Sequence, residues 1–143
     1  MASFEEILNK PASEIEPPKA YPVGTYHCLV VGAPETVKSS KKGTDGFRFK
    51  YRILSPKDDV DQVAFVEQQI SGKEITDDMW VTEGSAFMLK NLLVDHLKID
   101  PEGKTLRELV AEAPGRQLLV KLRHEPSQDG QRIYHRVDST ASV

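Results

Sequence analysis

Hydrophobic and polar positions alternate most strictly over residues 47–52, Phe-Arg-Phe-Lys-Tyr-Arg. Successive side chains of a β-strand point to opposite faces, so Phe47, Phe49 and Tyr51 share one face and Arg48, Lys50 and Arg52 the other. The pattern predicts a strand over 47–54 with its aromatic face turned to a core, an assignment that a single bulge would reverse. Upstream, residues 25–33 are apolar on both faces, with Tyr26, Cys28 and Val30 on one and His27, Leu29 and Val31 on the other. A long first strand of this kind, with Gly32 near its end, suits a strand shared between two halves of a barrel. Between the two strands, Lys38-Ser39-Ser40-Lys41-Lys42-Gly43 opens a basic turn that runs to Gly46. Residues 55–72, rich in Pro and Asp, read as a connection, and 73–82 as a third strand carrying the single tryptophan, Trp80.

The period then lengthens to that of a helix. Ala86, Leu89, Leu92, Leu93, His96 and Leu97 recur at helical spacing behind Ser85, a candidate cap, and the run stops before Asp100-Pro101. Thr105 with Glu108 forms a capping-box pattern ahead of Leu106, Leu109 and Val110, ended by Pro114-Gly115. Two more strands, 117–124 and 132–138, flank Ser127-Gln128-Asp129-Gly130, a hairpin signal. At the start of the chain Ser3 and Glu6 make another capping box, with Phe4, Ile7 and Leu8 forming one short amphipathic turn, before Pro11, Pro17 and Pro18 stop regular structure. Residues 1–20 are therefore expected to be a partly disordered arm, 21–139 the domain and 140–143 a short tail.

The element order is β-β-β-α-β-β, with one or two helices between the third and fourth strands. This predicts a mainly β fold, the five-stranded OB-fold Greek-key barrel, with the apolar face of the 86–97 helix plugging one end. That fold binds oligonucleotides on strands 2 and 3 and on the loops joining strands 1–2 and 4–5.

A chain of 143 residues suits one domain with a real core. It has no apolar stretch of about 18 residues, so no membrane-spanning helix is expected. Met1-Ala2-Ser3-Phe4-Glu5-Glu6 lacks the basic-then-apolar order of a signal peptide. A single cysteine, Cys28, allows no intramolecular disulfide, which fits a reducing cytoplasm. His27, His96, His124 and His135 have no zinc spacing, and no metal or cofactor is expected. Cys28 beside His27 is not a nucleophile with its base, because adjacent residues on a strand point apart; a buried structural cysteine is expected.

The net charge of -3 argues against a polyanionic partner, but its distribution argues for one. Residues 36–52 hold six Lys/Arg against one acid, giving +5, and 116–137 hold five against two, giving +3. Residues 57–83 hold two against eight, giving -6. Such asymmetry implies a local field. The acidic stretch is expected to be a solvated loop, one that repels duplex DNA or contacts a partner from outside the groove.

On the OB order the charges acquire positions. Lys38, Lys41 and Lys42 lie in the 1–2 loop, Arg48, Lys50 and Arg52 on strand 2, and Trp80 on strand 3. Arg123, His124, Arg132, Tyr134 and Arg136 flank the 4–5 hairpin. A lone tryptophan is usually a core residue, yet in Asp78-Met79-Trp80-Val81 the neighbours Met79 and Val81 take the inner face and turn Trp80 outward. There it would offer a base a stacking platform. Tyr134 lies between Arg132 and Arg136, opposite Ile133, His135 and Val137; whether it stacks stays open. The cations are either phosphate contacts or a solvated face.

Tyr21-Pro22-Val23-Gly24-Thr25-Tyr26, Lys38-Ser39-Ser40-Lys41-Lys42-Gly43 and Phe47-Arg48-Phe49-Lys50-Tyr51 together resemble the opening of small phage-encoded single-stranded-DNA-binding proteins. Leu97-Lys98-Ile99-Asp100-Pro101 and the 106–115 run fit the same family, so that the resemblance covers about residues 21–138. It implies an OB fold and a role in phage DNA replication or recombination, with proteins of those processes as partners. The wider bacterial class ends in an acidic, Phe-terminated tail. This sequence ends Asp138-Ser139-Thr140-Ala141-Ser142-Val143, so tail-mediated recruitment is not expected.

Three functions compete. The first is sequence-independent binding of single-stranded DNA, by electrostatic capture and base stacking. The second is an OB-fold interaction module engaging a replication, recombination or host factor through the arm or the acidic stretch. The third, an enzyme such as a nuclease, needs carboxylates clustered for metal ions. Asp58, Asp59, Asp61, Asp77 and Asp78 instead fall in a loop and around a turn-like step, so no enzymatic activity is expected. The oligomeric state, self-association included, is left open.

Overall fold

The computed structural model describes residues 3–14 and 19–143. The disorder expected of the arm falls in part on residues outside these, as do Pro17 and Pro18. Among the described residues, six strands build one antiparallel sheet: β1 (Gly24–Val30), β2 (Glu35–Lys38), β3 (Asp45–Pro56), β4 (Glu74–Trp80), β5 (Gln117–Pro126) and β6 (Ile133–Ala141). β3 organises them. Its 12 residues hold β4 on one edge and, on the other, β2 at its start and β1 at its end. β1 carries β5, and β5 carries β6.

The alternation in the sequence sorts into faces as expected. Tyr26, Cys28 and Val30 of β1, Phe49, Tyr51 and Ile53 of β3, Ile75 of β4, and Leu118, Val120 and Leu122 of β5 are all buried. Phe47 is partly buried against this core. Irregularities at His27/Cys28 and Lys121/Leu122 leave one extra residue in the facing strand, Leu54 of β3 and Asp138 of β6; the alternation over 47–53 lies before the first of them and keeps its faces.

Two elements differ from expectation. β2 fills the gap between the expected first strand, 25–33, and the basic turn, and takes only Lys38 from that turn; in Glu-Thr-Val-Lys only Val37 is apolar, and the strand forms because β3 leaves an edge free to template it. The 55–72 connection contains α2 (Gln62–Glu67), capped by Asp61, whose carboxylate accepts from the Ala64 N–H at 3.1 Å. Only Phe65 of α2 is buried, while Val63 and Val66 face solvent, so no apolar stripe marks it.

At the start of the chain α1 (Phe4–Leu8) has the expected box, Ser3 accepting from the Glu6 N–H and Glu6 from the Ser3 N–H. The expected helix over 86–97 is α3 (Ala86–Asn91) continued by a wider π-type turn (Leu92–His96). The wider turn buries Leu92, Leu93 and Leu97 together and points His96 at Thr140 of β6, 2.6 Å away. Ser85 does not cap α3; its hydroxyl donates to the Trp80 carbonyl at 2.6 Å. α4 (Leu106–Ala111) starts with the Thr105–Glu108 box and buries Leu109 and Val110.

The mainly β class holds, but the sheet is not closed. Among the described residues β4 pairs with β3 alone and β6 with β5 alone, and no ladder joins the two. Together with α3 and the π-type turn they line a cavity of about 410 Å³. No described helix is long and apolar enough to cross a membrane.

Candidate nucleic-acid interface

Directly opposed residues in a sheet share a face. The register sets Arg48 between Glu35 and Asp78, Lys50 opposite Thr76, Arg52 opposite Glu74, and Gly46 opposite Trp80. The cationic row therefore does face solvent, but it is not unopposed. Arg48 grips Asp78 with two bonds, Nε to Oδ1 at 2.8 Å and a terminal nitrogen to Oδ2 at 3.1 Å. Lys50 lies 3.6 Å from Glu35 and Arg52 3.8 Å from Glu74. Three carboxylates answer three cations. The hydrogen bond to Asp78 raises the Arg48 pKa further above its ordinary value. Exposed pairs of this kind add little stability. Their larger effect is to cancel the field of the row.

This corrects the reading of residues 57–83 as a solvated loop. Asp59 accepts from the Thr25 N–H and hydroxyl, both at 2.8 Å, and the amide bond holds its pKa below the usual carboxylate value. Asp61 caps α2, and Glu74 and Asp78 pair with β3. Asp77 turns inward beside the Tyr51 hydroxyl, 3.4 Å away, and burial pushes its pKa up to about 6. The basic and acidic stretches of the sequence are neighbours in the sheet.

Trp80 turns outward, as its neighbours imply: Met79 and Val81 pack on the core, and the indole is 37% exposed. It lies across the backbone of β3 at Gly46. A Cβ there would stand 2.7 Å from Trp80 Cε3 and 2.5 Å from the Met79 carbonyl oxygen, so only glycine fits. The adjoining turn is tied by Ser39 N–H to Thr44 O and Gly43 N–H to Ser39 O, with Gly43 at φ +64°. Lys38 reaches Asp45 at 3.9 Å. Lys41 and Lys42 project from the turn with no carboxylate partner among the described residues.

The β5–β6 hairpin carries the other cluster. Arg123 pairs with Glu125 at 3.4 Å and Asp138 at 3.7 Å, and Arg136 with Glu125 at 3.5 Å. The Arg136 guanidinium also sits 5.2 Å from the centre of the Tyr134 ring, which is 39% exposed. Arg132, at the tip, has no carboxylate partner among the described residues. A groove of about 530 Å³ follows residues 131–136, with Lys19 and Ala20 on its other wall.

Sequence reasoning missed what the hairpin does to two histidines. His124 and His135 pair across the strands and clamp Tyr21. The Tyr21 ring stacks on His135 at 4.1 Å and 12°, its N–H donates to His135 Nδ1 at 3.0 Å, and its carbonyl accepts from His124 Nε2 at 2.7 Å. Burial holds the His135 pKa below the ordinary imidazole value, and Arg136 and His124 lower it further. Reflection about the Asp129–Gly130 turn would have paired the two histidines from sequence alone. Cys28 is buried, its pKa pushed up to about 12 by burial, as befits a structural cysteine.

All the candidate residues on β3, β4, β5 and β6 lie on the solvent face of the sheet. They form two clusters rather than one. The Gly24↔Leu122 register places the hairpin beyond the start of β1, whereas the Lys41–Lys42 turn lies past its end. The ion-paired row of β3 runs on the face between them. A scan against protein-family models found no match to this chain, and a search of curated proteins found none.

Proposed function

We propose that this protein binds single-stranded DNA without reading its sequence. The observation that carries the reading is the pair of exposed rings on one face of the sheet, Trp80 opposite Gly46 where the chain comes out of the Lys41–Lys42 turn and Tyr134 two residues from Arg132, these three cations having no carboxylate partner among the described residues. Bases stack on the rings while phosphates follow Lys41, Lys42 and Arg132. Arg48, Lys50, Arg52, Arg123 and Arg136 join as phosphates replace their carboxylates, an exchange that the small worth of exposed ion pairs makes easy.

The strand order supports the same reading. β1 and β2 lie along one edge of β3 and count as a single long strand interrupted at Gly32, φ +69°. Five strands with helices between the third and fourth then follow the OB order, with the cavity between β4 and β6 as the seam where such a barrel closes. The resemblance of residues 21–138 to phage-encoded single-stranded-DNA-binding proteins points to replication or recombination, in the cytoplasm of a host. The cancelled charge of the β3 row favours a second reading, an interaction module whose partner is a protein. Titration of the intrinsic tryptophan fluorescence with a poly-pyrimidine oligonucleotide, across salt concentrations and with duplex as control, separates the two. Salt-dependent quenching by the single strand is expected; no quenching, or equal affinity for duplex, rejects DNA stacking.

A further inference from the structure

We propose that α1 of one copy of this chain docks in the β5–β6 groove of a second copy. Every residue of α1 is exposed, including Phe4, Ile7 and Leu8 on its apolar stripe, and its first turn is acidic, with Glu5 and Glu6. An amphipathic helix with no core to cover is a ligand for an apolar groove. The groove along residues 131–136 has the complementary character. Ile133 and Tyr134 are its exposed apolar groups, Arg132, Arg136 and Lys19 its cations, and its volume of about 530 Å³ accepts two or three large side chains. It also follows an edge strand, since among the described residues β6 pairs only with β5. Such an edge invites pairing unless something covers it.

The occupant is a second copy for a reason of connectivity. The chain's own arm already forms one wall of the groove at Lys19 and Ala20, and Tyr21 is fixed there by His124 and His135. To lie in its own groove, α1 would have to turn back over that wall within the ten residues that join the two, 9–18. The arm of a neighbour meets the groove with no such reversal. The groove shares Arg132, Tyr134 and Arg136 with the proposed DNA site, so docking and DNA binding would compete; the inference does not rest on that reading, and its test contains no DNA.

The test is sedimentation of the full-length protein over a concentration series without DNA. Reversible self-association is expected, weakened about tenfold or more by Phe4→Asp, the loss expected of an interface anchor. Phe4 touches no core, so the variant folds. Charge exchange decides the geometry. A Glu5→Arg/Glu6→Arg protein and an Arg132→Glu/Arg136→Glu protein should each associate poorly alone and associate with one another when mixed. Concentration-independent monomers, or an unchanged association in Phe4→Asp, overturn the proposal. So does a mixture in which the two charge variants ignore each other, the result expected if α1 covers its own groove.

Discussion

The cations of β3 and those of the two turns are the same residue types in opposite electrostatic situations. Arg48, Lys50 and Arg52 each face a carboxylate supplied by a neighbouring strand. Lys41, Lys42 and Arg132 lie where the chain leaves the sheet, and among the described residues no neighbouring strand lies opposite. A sheet brings complementary charges into register; a turn does not. The charge that a polyanion meets first is therefore at the ends of the sheet, although the longer cationic run is in its middle.

The largest expected effect concerns the rings that sit beside each kind of cation. Trp80→Ala should cost about 1–3 kcal/mol of binding to a single-stranded oligonucleotide, and Tyr134→Ala a similar amount, with little change in melting temperature. Equal affinity of both variants and the parent would remove the rings from the interface. A large loss of folding stability in Trp80→Ala would make its packing over Gly46 structural instead.

Protonation should separate the same two regions. Asp77 behind the β3–β4 face has its pKa raised from 3.8 to about 6. Between those values the folded protein keeps a proton that the unfolded chain has released, so this contribution to stability falls as pH rises from about 4 to about 6. Asp77→Asn should stabilise the protein at pH 7 by on the order of 2 kcal/mol and hardly at all near pH 4, measured by urea denaturation.

Salt dependence reports the charges directly. Each of Lys41, Lys42 and Arg132 changed to Ala should lessen the slope of log K against log salt by about 0.7. Arg48→Ala should lessen it by less, because the Asp78 carboxylate already offsets the attraction that Arg48 offers a phosphate. The combined change Glu35→Gln, Glu74→Gln, Asp78→Asn should steepen the slope. If it does not, the β3 row takes no part in binding.

The smallest effect is expected at the histidine clamp on Tyr21. The His135 pKa is lowered in the folded state, so its contribution to stability is complete above about pH 6.5 and is lost as pH falls and the unfolded chain protonates first. That slope runs against the one at Asp77. His135→Phe keeps a ring for Tyr21 and should abolish the hairpin's share of the pH dependence, followed by thermal melts between pH 5 and 8.

Much of the sheet was legible because its signals are local. Strict alternation located β3, Ser127 to Gly130 located the hairpin, and the two capping boxes located α1 and α4. The polarity of Met79 and Val81 was enough to turn Trp80 outward. What escaped depends on partners distant in sequence. β2 has no pattern of its own and forms on an edge of β3. The acids of 57–83 read as a loop because nothing nearby shows that they will stand opposite the cations of 36–52. Whether β4 and β6 join is likewise a matter of register between strands about sixty residues apart, and no local motif encodes it.

The pairs along β3 have one more consequence. Glu35 stands on the β2 side of Arg48, and Glu74 and Asp78 stand on the β4 side of the row. A chain of phosphates that captured Arg48, Lys50 and Arg52 would release these carboxylates without moving them far. It would then lie between two negative banks roughly two strand spacings apart, about 10 Å. One strand fits in that channel; a second, antiparallel to it, would have to run along a bank. The same acids that mask the row in the empty protein would thus act as a fence around its occupied state, admitting a single polyanion and turning away its complement.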